Sequence, residues 1–149
     1  MKQEIENDAR QFCNTWQNIS MIYEDYARTI GIPYTSLYIL NLITLMDNCT
    51  QKIICEQTLL PRQTVNTVVT GFYKNNLVEL QELPEDRRTK IIHLTQKGKE
   101  YAGKIIPHIR KAEKRAMERL SEDQRKALLQ GMAVYCDAFR DEMRTDRCK

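Results

Sequence analysis

The chain has 149 residues, which leaves room for one domain or for one domain with a helical extension, so a second catalytic domain is excluded. Hydrophobic residues make up 42% and charged residues 29% of it, which excludes a disordered tail and a membrane protein. The net charge of +3 is unevenly distributed, because residues 1–48 hold three basic and six acidic groups while the rest of the chain is basic.

Five cysteines stand at positions 13, 49, 55, 136 and 148. They include no pair with C-x-x-C spacing, and the first thirty residues contain no apolar segment of the kind found in signal peptides. We therefore expect free thiols and a cytoplasmic location, with no membrane partner.

Residues 3–30 are expected to form one long helix. Their apolar side chains recur at alternating steps of four and three, a spacing typical of helices that pack in pairs. The positions concerned are Ile5, Ala9, Phe12, Trp16, Ile19, Tyr23, Tyr26 and Ile30. The helix should end at Gly31, because glycine accepts a left-handed backbone and Pro33 cannot continue a helix. With a length of about 40 Å, its apolar stripe is expected to need a partner outside its own domain.

Three shorter segments follow. Residues 34–46 are apolar on several faces, which predicts a helix buried on most of its surface. Thr50 is the expected N-cap of a short helix over 51–57. Residues 58–60 would form a turn, and Pro61 would be the first residue of the next helix.

The helix expected to start at Pro61 has two chemically distinct faces. Its apolar face consists of Val65, Val68, Val69 and Phe72, and its opposite face of Gln63, Asn66, Thr67, Thr70 and Lys74. Asparagine and threonine have poor helix propensity, so solvation alone does not explain the polar face. Such side chains pair with base edges and phosphates, and this face therefore predicts contact with nucleic acid.

Two strands and a further helix are expected next. Residues 77–81 alternate as a strand, and residues 90–94 can pair with it. The segment between them carries a proline and adjacent arginines, which predicts a hairpin with a basic tip. Thr95 should cap a helix over 96–119, with Pro107 causing a kink or a local break.

A capping box formed by Ser121 and Gln124 predicts the start of the last helix. One stripe of that helix is apolar and consists of Leu128, Met132, Tyr135, Phe139 and Met143.

This order of elements predicts a winged helix-turn-helix. Residues 34–105 resemble the MarR (multiple-antibiotic-resistance regulator) family of bacterial transcription factors. The resemblance rests on the helix LPRQTVNTVVTGFYKNNLVE and on the wing EDRRTKIIHLTQKG, which fits the family pattern D-x-R, hydrophobic strand, L-T-x-x-G. Long helices at both ends, which build the dimer in that family, extend the resemblance over nearly the whole chain.

The expected fold is therefore mainly α, an α+β winged helix-turn-helix with about six helices and a two-stranded β wing. A single domain would cover residues 1–149. Its DNA-binding lobe would span 34–100, and its dimerisation region 1–32 and 101–149.

The resemblance also implies roles for individual residues. Arg88 would enter the minor groove and Asp86 would steady the wing, while Arg87 and Lys90 would touch phosphates. A narrow A·T-rich minor groove concentrates negative potential, which suits a guanidinium at a hairpin tip. The alternative is that the two arginines only solvate a turn. The residues of the recognition helix expected to contact DNA are Arg62, Gln63, Thr64, Asn66, Thr67, Thr70 and Lys74.

Two positions depart from the family. Leu60 precedes Pro61 where members often carry Asp or Ser as a cap, so packing is expected to hold the start of the recognition helix. Asn75 and Asn76 replace the usual glycine-containing turn, although Asn tolerates a left-handed backbone.

One recognition helix and one wing give few base contacts, so we expect a two-fold dimer that binds an inverted repeat with half-sites about 34 Å apart. The resemblance implies a transcription regulator, and we expect a repressor released from double-stranded DNA by a small phenolic or lipophilic ligand. The candidate ligand-binding residues are Trp16, Tyr34, Tyr38, Met46 and Ile105, although such residues are also typical of plain core.

Cys13 is a candidate redox sensor. A peroxide-sensing branch of the family has its reactive thiol near the start of the first helix, and Tyr34 resembles a tyrosine that contacts it. Gln17, however, stands where that branch would have another tyrosine. The alternative is a packed helical cysteine.

The remaining classes are less favoured. Cys49 and Cys55 match no structural zinc spacing, so no metal site and no other cofactor is expected. The sequence shows no catalytic Ser-His-Asp arrangement and no glycine-rich phosphate loop, which argues against an enzyme. A winged-helix scaffold for proteins or non-specific nucleic acid is the remaining alternative.

Overall fold

A computed structural model describes residues 2–82, 86 and 88–145, and over these residues it contains six helices and one two-stranded sheet. The elements are α1 (Lys2–Thr29), α2 (Tyr34–Leu45), α3 (Gln51–Thr58), α4 (Arg62–Lys74), β1 (Val78–Glu82), β2 (Lys90–Leu94), α5 (Gln96–Glu118) and α6 (Glu122–Thr145). The predicted fold class is confirmed. The contacts of the chain define two compact units, Met1–Lys104 and Ile105–Lys149.

Helix α2 is the centre of the first unit, as its sequence predicted. Leu37, Ile39 and Leu40 are buried, and the helix packs against α1, α4 and β2. Because α2 is apolar on several faces, most of its side chains gain hydrophobic free energy, about 25 cal/mol for each Å² removed from water.

The predicted end of the first helix and two predicted caps are confirmed. Gly31 has a φ of 74°, and α1 ends two residues before it. The Thr50 hydroxyl accepts the N–H of Ile53 at 3.2 Å at the start of α3. The Thr95 hydroxyl accepts the N–H of Gly98 at 3.0 Å at the start of α5.

The turn between α3 and α4 differs from the prediction. Helix α3 continues through Thr58, so the turn comprises 59–61 rather than 58–60. Leu59 closes α3 in the left-handed conformation, with a φ of 55°. Pro61 is the N-cap of α4 and not its first residue, because its ψ of 140° is extended. No side-chain cap holds α4, which agrees with the expectation from Leu60.

Strands β1 and β2 form an antiparallel wing, with Val78 opposite Leu94 and Glu82 opposite Lys90. Strand β2 has the predicted bounds, whereas β1 begins and ends one residue later than predicted.

The residues before α3 reach the other edge of β2. The N–H of Ile92 donates to the carbonyl of Cys49 at 2.8 Å, and Thr50 forms an isolated antiparallel bridge with Ile91. The first helix of the helix-turn-helix is therefore tied directly to the wing.

The start of α5 approaches the backbone that follows α4. A Cβ on Gly98 would lie 1.8 Å from the carbonyl oxygen of Leu77, so only glycine fits this position. Asn76 turns the chain between α4 and β1 with a φ of 57°, which asparagine tolerates.

In the second unit, the predicted capping box is present. The Ser121 N–H donates to Oε1 of Gln124 at 2.9 Å, and the Gln124 N–H donates to the Ser121 hydroxyl at 3.2 Å. Helix α5 is continuous at Pro107, so the alternative of a local break is wrong.

Candidate nucleic-acid interface

The two faces of α4 are separated largely as the sequence predicted, except that Val68 and Thr70 are both half-buried. Val65, Val69 and Phe72 are buried in the core of the first unit and hold the helix in place. Most of the predicted DNA-contacting residues lie on the exposed side, namely Arg62, Gln63, Asn66, Thr67 and Lys74. Thr64 and Thr70 are half-buried, so they have less surface to offer a ligand.

Hydrogen bonds restrict what this face can offer. The Thr67 hydroxyl donates to the carbonyl of Gln63 at 2.9 Å, one helical turn earlier. The hydroxyl hydrogen of Thr67 is used inside the helix. A partner would therefore meet the hydroxyl oxygen as a hydrogen-bond acceptor.

A residue that the sequence did not single out contacts the polar face. Nε2 of Gln51, in the first turn of α3, donates to Oδ1 of Asn66 at 3.4 Å. Neither periodicity nor a motif indicates such a pair, because it depends on how two helices cross.

The tip of the wing is organised by Asp86. Its Oδ2 accepts the hydroxyl of Thr89 at 2.7 Å, and its Oδ1 accepts the backbone N–H of Arg88 at 3.0 Å. These bonds, first the one from Thr89 and then the one from Arg88, lower the pKa of the Asp86 carboxyl. The Arg88 side chain is exposed, while Arg87 lies outside the described residues.

Polar pairs line the strands behind the tip. Nζ of Lys90 lies 3.5 Å from Oε1 of Glu82 in the paired strand, so the Lys90 charge is partly compensated. Nε2 of His93 lies 2.9 Å from Oε1 of Gln81. Lys90 is thus paired with an acid of the neighbouring strand, whereas the Arg88 side chain is exposed.

The five candidate ligand-binding residues are in different surroundings. Tyr34 and Tyr38 stack with ring centroids 6.2 Å apart, and burial, followed by Tyr38 and Glu24, raises the pKa of Tyr34. Trp16 is 54% exposed. Met46 is half-buried, and Ile105, in the second unit, is buried.

The first unit also contains a cavity of about 790 Å³ between the start of α2, the side of α4 and the start of α5. None of the five candidates lines it. Its lining includes Ile32, Pro33, Thr35, Ser36, Gln63, Thr64, Thr67, Val68, Gly71, Phe72, Asn75, Leu77, Lys97 and Tyr101. Three of these residues, on α4, also belong to the predicted DNA-contacting set, so cavity and interface share the recognition helix.

The described cysteines are free thiols in contrasting positions. Cys13 and Cys136 are exposed and Cys55 is half-buried. Cys49 is buried, and this burial raises its pKa to about 11. The redox role of Cys13 stays a prediction, and Cys148 lies outside the described residues.

The described residues lack two kinds of feature. None of the helices in this part of the chain combines the length and the apolar character needed to cross a membrane. No group of three or more His, Cys, Asp or Glu side chains in it is arranged to hold a metal ion.

Residues 30–89 match the model of the MarR family. A comparison with curated proteins gave no match.

Solved structures share the fold over nearly the full length. A MarR family regulator from Neisseria meningitidis is 21% identical over 93% of this chain and 98% of its own, with a TM-score of 0.80. FabT from Streptococcus pneumoniae, solved in complex with DNA, is 16% identical over 92% and 98%, with a TM-score of 0.75. MarR from Staphylococcus aureus, solved with salicylate and kanamycin, is 21% identical over 93% and 97%, with a TM-score of 0.72. Residues 30–89, which include the helix-turn-helix and the first strand of the wing, therefore match the MarR family model, and the chain shares its fold with solved regulators of that family.

Proposed function

We propose that this protein is a homodimeric regulator of transcription that binds an inverted-repeat operator in double-stranded DNA and represses the adjacent promoter. The observation that carries the proposal is the combination, within one compact unit, of an amide and hydroxyl face on α4 with a wing tip braced by Asp86. The solved complex of FabT with DNA supports it by analogy of fold.

The chemistry of the two elements suits the two grooves. Gln63 and Asn66 carry amides, which read base edges in the major groove. Arg62 and Lys74, at opposite ends of α4, carry cationic side chains of the kind that contacts phosphates. Arg88 at the wing tip suits a narrow minor groove, where the negative potential is strongest.

Exposed apolar residues on the terminal helices support a dimer. In α1, Trp16 is 54% and Ile19 is 45% exposed, and in α6, Phe139 is 54% and Met143 is 50% exposed. All four lie on the stripes predicted to pair. A second copy would remove this surface from water and would double the DNA contacts.

The proposal is tested by selecting duplexes from a random DNA pool with the full-length protein. We expect an inverted repeat with half-sites about one helical turn apart, bound with an affinity that falls with salt and resists competitor DNA. Binding that is equally strong on all duplexes would instead favour the scaffold alternative.

The dimer is tested separately by light scattering at micromolar concentration. We expect twice the chain mass of 17.6 kDa. A monomer would contradict the two-fold arrangement, whatever the outcome of the DNA selection.

We further propose that a small phenolic or lipophilic ligand releases the operator. The salicylate complex of the Staphylococcus aureus relative and the cavity beside α4 support this proposal. Salicylate is the probe, and loss of the operator complex is the readout.

Two variants distinguish the cavity from the predicted tyrosine site. Val68→Phe places a larger side chain in the cavity and narrows it, whereas Tyr38→Ala removes a stacked ring from the other site. The variant that abolishes release by salicylate identifies the site. Operator complexes that persist at saturating salicylate in the wild type would contradict release by this class of ligand.

A further inference from the structure

A side-chain hydrogen bond joins the two helices of the helix-turn-helix. Nε2 of Gln51 donates to Oδ1 of Asn66 at 3.4 Å. We infer that Gln51 is a positioning residue that fixes the orientation of the Asn66 amide. The NH₂ group of Asn66 then faces the DNA, and this orientation determines which base Asn66 prefers. The inference rests on the function proposed above.

The backbone of Gln51 is held in place by its neighbours. Thr50 caps the first turn of α3 and bridges to Ile91 of β2. Ile54, one turn later in α3, is fully buried. Gln51 therefore cannot shift away from α4 without disturbing the cap and the core.

The backbone of Asn66 is equally constrained. It lies between Val65, which is fully buried, and Val69 one turn later, which is 1% exposed. The freedom that remains to Asn66 is rotation of its side chain. The Gln51 amide, as a donor to Oδ1, favours one of the two amide orientations of Asn66.

An asparagine held in this way has a defined preference among bases. With Oδ1 engaged, Nδ2 presents its hydrogens, which need an acceptor. Guanine offers two acceptors in the major groove, whereas cytosine offers only an N4 amino donor. We expect guanine to be preferred over cytosine at the base that Asn66 meets, by about three- to tenfold, the effect of one hydrogen bond.

Gln51→Glu should reverse this preference. A carboxylate cannot donate and instead accepts from Nδ2 of Asn66, which turns the Asn66 carbonyl toward the DNA. A carbonyl favours the amino groups of cytosine and adenine. A glutamate in the first turn of a helix also interacts favourably with the helix dipole, so the Gln51→Glu variant should fold.

The experiment uses the operator obtained by selection and four duplexes that differ only at the base pair where Asn66→Ala changes discrimination. Affinity ratios among the four are measured for the wild type, Gln51→Ala, Gln51→Glu and Gln51→Ala combined with Asn66→Ala. Gln57→Glu, which places the same charge on the exposed side of α3, is the matched control.

We expect Gln51→Ala to relax the guanine preference, Gln51→Glu to reverse it, and Gln57→Glu to lower all four affinities equally. Gln51→Ala should change nothing further once Asn66 is alanine. Equal changes on all four duplexes, an effect of Gln51→Ala that persists without Asn66, or no base-specific effect of Asn66→Ala would overturn the inference. A pool that yields no selected sequence would reject the proposed function itself, and the inference with it.

Discussion

The carboxylate of Asp86 accepts the backbone N–H of Arg88 at 3.0 Å. The acid thus fixes the course of the chain at Arg88 through the backbone, and the guanidinium takes no part in this bond. A loop held in this way presents a long cationic side chain at a lower entropic cost than a loose turn would.

Arg88→Ala should weaken operator binding by about 1 to 3 kcal/mol, because it removes a guanidinium from the minor groove. The measurement is a titration of the selected operator. Arg140→Ala, which removes an exposed arginine from α6, is the control and should leave affinity unchanged. Unchanged affinity in Arg88→Ala would remove the wing from DNA recognition.

The wing tip should respond to acid. Because the folded-state pKa of Asp86 lies below that of the unfolded chain, its stabilisation of the tip is present above the unfolded pKa and is lost as pH falls through the folded one. Nuclear magnetic resonance should show the amide signals of Arg88 and Thr89 moving together with the carboxylate in that range. In Asp86→Asn this transition should be absent, and independent shifts of the two amides would contradict the contact.

Gly98→Ala should destabilise the protein by about 3 kcal/mol, since a Cβ there would collide with the Leu77 carbonyl. Gly103→Ala is the matched control in the same helix. Nothing lies within 4 Å of a Cβ added at Gly103. This substitution should therefore stabilise the protein by about 0.5 to 1 kcal/mol. Denaturant unfolding measures both, and equal effects would contradict the close approach.

Leu59→Gly should stabilise the protein by about 0.5 to 1 kcal/mol. A left-handed backbone costs a leucine about 1 to 2 kcal/mol, only part of which is offset by the greater unfolded-state entropy of glycine. Leu59 is 88% exposed, so little burial is lost. Leu59→Ala keeps the Cβ and should not stabilise, and a gain in both variants would rule out backbone strain as the cause.

The thiols should differ in reactivity. Iodoacetamide should modify Cys13 and Cys136 in the native protein but Cys49 only after unfolding. Mass spectrometry after alkylation checks the order of labelling, and early labelling of Cys49 would contradict its burial.

The folded-state pKa of Cys49, about 11, is above that of the unfolded chain. The stability that the protonated thiol contributes is therefore complete below the unfolded pKa and is lost as pH rises through about 11.

Local sequence signals predicted most of the fold. The caps at Thr50 and Thr95 and the capping box at Ser121 depend on residues three positions apart, and all are present. The burial of α2 followed from its composition. These features were predictable because the interacting groups are neighbours along the chain.

The site was predictable only in part. The polar face of α4 and the acid of the wing carry local signals, whereas the Gln51–Asn66 contact depends on the crossing of two helices. The position of Pro61 was misjudged, because proline suits the residue before a helix as well as its first residue. The cavity beside α4 is assembled from several distant segments, so no single stretch of sequence indicated it.

The contact of Cys49 and Thr50 with β2 has a consequence for solubility. A two-stranded hairpin normally presents open edges on which another chain can add a strand and start aggregation. Here the edge of β2 at Ile91 and Ile92, its most apolar part, is already occupied by the protein's own backbone. This edge of the wing is therefore protected, in the folded protein, against the addition of a strand from another chain.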